Sequence, residues 1–409
     1  MNKNLSPLEQ EAINEDTSPQ RLEELANIPE VAHLVAANVN SSPQTLTKLA
    51  KYDNYDIIKA LVTNPSTPTG ILVNIGGIFP QELANNPIID FWLLEDSNPL
   101  FYNNKLMEKL AENSKNPIEI LKILAQSPNY YIRCLLVNKQ NLPINLLEKL
   151  ANDFHKQVRC SVAVNENTPI HLLEKLANDS DKEVRCSIVR NKKTPLNLLE
   201  KLATDPNNDV RYSVVRNEKT PINLLEKLAT DSHNDVRCGV VRNEKTPVNI
   251  LEKLAFDLDK KVVYNVASDE KTPVNILEML ASDVDEKVVY NVARNGKTPV
   301  SLLEKLATNT DNNVVCNVAR NEKIPINLLE KLAAHADESV RCCVARHHNI
   351  SIDILERLSV DHSQKIRKRV AINQNTPISI LERLLNDPND TVRLTAREKL
   401  KSLENNLDE

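Results

Sequence analysis

The chain has 409 residues, is 41% hydrophobic, carries a net charge of −5 and contains only 5 glycines. So little glycine argues against hairpin-rich architectures and glycine-rich phosphate loops. The acidic excess lies in residues 1–115 and the rest is near balance, so neither part has the basic excess of a strong nucleic-acid binder. No apolar run is long enough to span a bilayer, and Met1-Asn2-Lys3-Asn4-Leu5 lacks a signal-peptide core, which predicts a cytoplasmic chain with no membrane partner.

Residues 1–69 predict weak repeats beginning at Ser18-Pro19, Ser42-Pro43 and Thr67-Pro68, with steps of 24 and 25 residues. Across residues 70–104 the pattern dissolves around Gly70, Gly76 and Gly77, and aromatic residues gather: Phe79, Phe91, Trp92, Phe101 and Tyr102. Two readings of these aromatics stand side by side. They fill a distorted repeat, or Phe91, Trp92, Phe101 and Tyr102 form a docking site.

From 105 to 398 a 26-residue period dominates. Proline recurs at Pro117, Pro143, Pro169, Pro195, Pro221, Pro247, Pro273, Pro299, Pro325 and Pro377, with Ser351 the one exception. Such self-similarity means a solenoid, in which each unit buries its apolar face against its neighbours. In the repeat 220–243, Thr220 is placed to cap a first helix and Pro221 to occupy its first turn. Ile222, Leu225, Leu228 and Ala229 predict one apolar face, with Glu226 and Lys227 opposite. Asp231 to Asp235 read as a polar turn, and Val236 and Val240 as the inner face of a second, shorter helix ended by Asn243. Residues 399–409 read as a polar tail. The fold class is all-α: an α-solenoid of about eleven regular two-helix repeats after degenerate N-terminal ones.

The string T-P-x-x-L-L-E-K-L-A-x-D followed by V-R-x-x-V-A/V-R-N, as in Thr220 to Asp231 and Val236 to Asn243, resembles the leucine-rich repeat variant family over residues 117–398. HEAT repeats share only the V-R at the start of the second helix. The resemblance implies a right-handed superhelix of alternating α- and 3₁₀-type helices without a sheet. The family repeat is shorter, near 24 residues, which makes a fully α-helical second segment the expectation here. An iron–sulfur cluster on an N-terminal cysteine group occurs in that family, but no cysteine precedes Cys134, so no cofactor is carried over.

The second helix holds the candidate site. Positions i, i+1 and i+4 share a face, and Arg190, Tyr212, Arg216, Arg242, Tyr264, Tyr290, Arg294, Arg320 and Arg346 would pave a concave groove with cations and rings. Such a groove suits an extended acidic peptide or single-stranded nucleic acid. The competing reading packs the Cys and Tyr of this face between repeats and pairs its Arg with nearby carboxylates. A different ladder, Arg185, Arg211, Arg237 and Arg341 beside Asp179, Asp205, Asp231, Asp257 and Asp283, predicts inter-repeat pairing. Val263, Val289 and Val315 interrupt it. If exposed, such pairs contribute only about 0–1 kcal/mol each.

Cys134, Cys160, Cys186, Cys238, Cys316 and Cys342 share one register, followed by Cys343. Register mates of stacked repeats sit roughly 8–10 Å apart, beyond the ~7 Å Cα limit of a disulfide, so free thiols in a reducing compartment are predicted. Asp257/Asp259 and Asp283/Asp285 read as helix caps rather than calcium ligands. Cys342, Cys343, His347 and His348 fit no standard zinc spacing. No P-loop, G-x-G-x-x-G, H-E-x-x-H or G-x-S-x-G occurs, and no catalytic or metal residue is singled out. The functional expectation is a non-enzymatic scaffold for a protein partner. The alternatives are nucleic-acid binding along the Arg/Tyr ladder and a HEAT-like lyase or glycosylase.

Overall fold

A computed structural model describes residues 5–94, 98–113, 115–139 and 142–405. Among them are 31 α-helices, one 3₁₀ turn and no strand. The chain divides into two compact units, Met1–Leu202 and Ala203–Glu409. Within each unit, helices pack in series, as an α-solenoid requires.

In the regular repeats a seven-residue helix A is followed by a nine-residue helix B, as in Ile222–Leu228 and Asn234–Arg242. The second helix is therefore the longer one, and it is α-helical. Longer B helices follow from their packing, because within a unit B helices lie directly on one another, as Asn234–Arg242 does on Lys260–Ser268. Val236 and Val240 are fully buried there, as expected.

Helix A corrects two expectations. Ile222 is 49% exposed, and the buried face is Leu224, Leu225, Leu228 and Ala229. Pro221 is not inside the helix but is its N-cap, in extended conformation at φ −78° and ψ 160°. Thr220 does not cap. Its buried hydroxyl donates to the carbonyl of Val214, six residues back, at 2.5 Å, closing the end of the preceding helix B. Thr194, Thr272 and Thr298 do the same toward Ile188, Val266 and Val292. Ser351 is an informative exception to the proline series. At the N-cap its side chain accepts from the Ile354 N–H, a bond proline cannot make.

The early repeats obey the same rule one step displaced. Ser18 and Ser42 are the N-caps and Pro19 and Pro43 the first helical residues. Thr17 and Ser41 hold the buried position, donating to Glu11 and Val35 carbonyls. Between 70 and 104 the helices shorten. Pro80–Ala84 has only five residues, yet it packs on Tyr55–Thr63 as a helix B would. At the chain end, the helix Asp390–Asn405 runs well past residue 399.

Two polar ladders stitch the repeats. Within each unit, most asparagines that end a helix B turn their amide onto the carbonyls that end the previous one. Asn295 donates to Ala267 and Asp269, and Asn321 to Ala293 and Asn295, at 2.8–3.0 Å. Helix C-termini leave carbonyls without partners, and here the neighbouring repeat supplies them. Asp269 cannot donate, so Lys271 reaches across to Val241 and Asn243 instead. His347 takes the same place, with Nε2 3.3 Å from the Asn321 carbonyl.

The second ladder is Arg–Asp. Arg133, Arg159, Arg211, Arg237, Arg341 and Arg367 clasp Asp153, Asp179, Asp231, Asp257, Asp361 and Asp387 of the next repeat, each through two nitrogens. These pairs are largely buried, with side-chain exposures of 3–15% for the arginines and 3–9% for the aspartates. The exposed-pair energy expected from sequence therefore does not apply to them. Where valine replaces arginine, the partner changes too. Val289 and Val315 face positions occupied by Asn309 and His335, and Asp283 opposite Val263 is taken by Lys260 at 2.9 Å.

Candidate functional site

The B-helix face of the second unit is built from positions i, i+1 and i+4, and the three have different fates. The cysteines among them turn inward: Cys238 is 7% and Cys316 6% exposed. Cys238 Sγ accepts from the Asn265 amide at 3.3 Å, and burial pushes its thiol pKa up. The next position is also engaged between repeats, with Asn317 buried. Gly239 stands where other repeats have Ser213, Asn265 or Asn291. The Tyr212 ring fills the space above it, so a Cβ there would lie 3.1 Å from the ring.

The i+4 position stays outside. Arg216, Arg242, Arg294, Arg320 and Arg346 are exposed, and Tyr212, Tyr264 and Tyr290 are half-buried beside them. Each arginine ends or follows a helix B, where a cation complements the negative helix terminus. Ser268 interrupts the row. Arg216 reaches over the Tyr212 ring at 6.0 Å. Arg242 Nε donates to Asn265 Oδ1 at 2.8 Å. Tyr264 donates to Asp285 Oδ2 at 2.5 Å, and that bond, with burial, pushes its phenol up to about 12.

Two clefts flank Tyr212 and Arg242. One, of about 360 Å³, is lined by Arg216, Arg242 and Lys245 together with Glu218 and Glu244. The other, of about 490 Å³, brings Tyr264 and Lys261 to the opposite side with Asp209 and Asp235. Both are open and of mixed charge, suited to side chains of an extended ligand. The structure thus gathers Tyr212, Arg216, Arg242 and Tyr264. Tyr290, Arg294, Arg320 and Arg346 follow along the same unit.

Arg190 is exposed at the end of Lys182–Arg190 in the first unit. That unit also holds the aromatic segment, where the docking expectation needs correction. Trp92 is 1% exposed and Phe79 4%, so both fill the core left by the shortened helices. Phe101 is half-buried, and only Phe91 and Tyr102 are exposed. The aspartate pairs divide their work. Asp259 and Asp285 cap helices by accepting from Lys261 and Lys287 N–H, whereas Asp257 and Asp283 hold Arg237 and Lys260.

No protein-family model matches the chain, and no curated protein matches it. Among solved structures, one described as "a leucine-rich repeat variant with a novel repetitive protein structural motif" is 25% identical, covers 55% of this chain and 88% of its own, with a TM-score of 0.43. The chain resembles a leucine-rich repeat variant. An engineered protein matches at 15% identity over 98% of this chain and 99% of its own, with a TM-score of 0.17. A structure of Kap95p with RanGDP matches at 12% identity over 96% of this chain and 60% of its own, with a TM-score of 0.30. No helix among the described residues is long and apolar enough to cross a membrane.

The asparagine ladder was missed in the sequence. Its signal was present: asparagine recurs after V-A/V-R in most repeats, with Asp269 and His347 among the exceptions in the second unit, and read only as a helix stop it concealed an inter-repeat donor.

Proposed function

We propose that the chain is a non-enzymatic scaffold that binds an extended, acidic segment of a protein partner along the B-helix face of its second unit, in the cytoplasm. The observation that supports this reading is the exposed arginine row Arg216, Arg242, Arg294, Arg320 and Arg346, set beside the half-buried tyrosines. Guanidinium forks pair with carboxylates, and rings held by packing offer contact area at low entropic cost. The carboxylates Glu218, Glu244, Asp209 and Asp235 in the same clefts count against a uniformly charged polyphosphate backbone and would accept an occasional cation within an acidic segment.

The test compares the wild type with Arg216→Glu/Arg242→Glu/Arg294→Glu/Arg320→Glu in an affinity capture, with and without nuclease. Protein captured by the wild type after nuclease and lost in the variant supports the proposal. Capture that vanishes with nuclease turns it toward nucleic acid, whose binding must also fall steeply with salt. Equal capture by both proteins removes the row from consideration.

A further inference from the structure

The register that places a cysteine on helix B also places one residue of the following repeat against it. Cys134 faces Ser161, Cys160 faces Ser187, and Cys238 faces Asn265. At Cys316 that neighbour is Cys343, standing at the same 27-residue offset from which Asn265 reaches the Cys238 sulfur at 3.3 Å. Their helices, Asn312–Arg320 and Glu338–Ala345, pack side by side in the same unit. Among the described residues this is the one place where the register brings two sulfurs together. A cation completes the group. Arg320, at the end of the first helix, and Arg346, at the end of the second, place two positive charges near Cys343. All seven cysteines of the chain are free.

The register argument from sequence excluded disulfides between residues at the same position. Cys343 stands one residue beyond that position, at the offset by which Asn265 contacts Cys238 in an earlier repeat. We propose that Cys316 and Cys343 form a peroxide-sensitive dithiol that closes to a disulfide and fastens two consecutive B helices together.

The chemistry follows from the arrangement. The neighbouring Cys316 thiol and the charges of Arg320 and Arg346 hold the Cys343 thiol below its ordinary pKa against the effect of burial, while Cys316 is pushed up. The thiolate is the nucleophilic form of cysteine. Cys343 thiolate attacks one oxygen of hydrogen peroxide, the O–O bond breaks, and hydroxide leaves and takes up a proton as water. Cys343 is then a sulfenic acid. Cys316 loses its proton and attacks the Cys343 sulfur, the S–O bond breaks, and a second water departs. Two thiols are oxidised by two electrons, and one peroxide is reduced to two waters. Exposures of 6% for Cys316 and 4% for Cys343 admit a small oxidant and shield the pair from bulky thiols.

The full-length protein, reduced and then treated with equimolar hydrogen peroxide, is alkylated and mapped by mass spectrometry without reductant. The expected product is a peptide pair joined through Cys316 and Cys343, reversed by dithiothreitol, formed before Cys134, Cys160, Cys186, Cys238 or Cys342 react. Cys316→Ser should stop at a sulfenic acid on Cys343 that dimedone traps. Arg320→Met keeps both thiols, removes a charge that favours the thiolate, and should slow the linkage several-fold at neutral pH. Circular dichroism confirms that each variant is folded. Even oxidation of all seven cysteines, a link through Cys342, or an Arg320→Met rate equal to wild type would overturn the proposal.

Discussion

Replacing Arg211 with valine removes one clasp of the Arg–Asp ladder and leaves its partner in place. In the native pair, Nε and Nη2 donate to Asp231 at 2.6 and 2.8 Å, and Nη1 donates to the Asp205 carbonyl at 2.8 Å. The side chains are 13% and 7% exposed. After Arg211→Val, Asp231 keeps only the His233 N–H, at 2.8 Å, and stays in the same dry crevice. Stranding a buried charge costs about 3–5 kcal/mol. The partial access of the guanidinium places this case near the low end, at about 3 kcal/mol. The double variant Arg211→Val/Asp231→Asn recreates the native combination of Val289 with Asn309, whose Oδ1 still accepts from the Asp311 N–H at 2.8 Å. It should recover to within about 1 kcal/mol of wild type, since removing both charges of a buried pair is often close to neutral. Urea unfolding of the single and double variants gives the coupling energy. Amide exchange in Asn208–Arg216 and Asn234–Arg242 localises it, because repeat arrays need not unfold in one step. A loss below about 1 kcal/mol for Arg211→Val would mean the pair behaves as an exposed one. Equal losses in the single and double variants would mean that the arginine acts through packing rather than charge.

Leu225→Asp puts a charge where exposure is zero and should unfold its repeat and neighbours, while Ile222→Ser at a 49% exposed site should shift the urea midpoint little. An unchanged midpoint for Leu225→Asp would reject the assigned core. Asn295→Ala removes donors to two carbonyls and the acceptor for the Lys297 N–H, and should cost about 1–3 kcal/mol by urea unfolding, with faster exchange at Lys297 and Thr298. Acid should weaken the array through its paired aspartates. Burial acts to raise Asp179, Asp231 and Asp361, but their arginines and turn N–H groups hold all three below the ordinary carboxylate range. For Asp387 the Arg367 bond is the leading cause of the same downward shift. A depressed folded pKa means the unfolded chain takes up protons first. Stability is therefore fully present above the unfolded value of about 4 and is lost as pH falls toward the folded values. Urea midpoints that stay level from neutral pH down through that range would contradict the ladder's energetic role.

The period, the two-helix unit and the Arg–Asp pairing were legible because each depends on side chains recurring at fixed spacing. Errors arose where identity alone does not reveal direction. Ile222 fits a helical apolar stripe as well as Leu224 does, but at position one of a seven-residue helix it is 49% exposed, while Leu224 is buried. Thr220 before Pro221 has the composition of a cap, yet proline at the N-cap leaves the threonine hydroxyl one residue too early, facing backward. Trp92 reads first as filling a distorted repeat, with surface docking the weaker alternative, and it is indeed buried, at 1% exposure.

The interruptions at Val263, Val289 and Val315 explain how such an array separates structural from functional positions. The residue opposite each arginine keeps one task in every regular repeat, which is to accept a hydrogen bond from the N–H two residues on. Asp231, Asp283 and Asn309 do so through oxygen, and His335 through Nδ1. The charge persists only where a cation stands opposite, Lys260 serving Asp283 when Arg is absent. The turn thus fixes the acceptor, and burial fixes the pairing. Applied to the B-helix face, the same reasoning removes Cys238, Asn265 and Asn317 from the functional candidates, since packing or hydrogen bonds between repeats already account for them. The i+4 arginines are different. Arg216 and Arg294 end their helices exposed, and Ser268 shows that the fold does not require a cation there. A long, flexible cation kept at a position where serine suffices for folding is where selection by a partner would leave its mark, and the charge-reversal variant tests that position rather than the stability of the array.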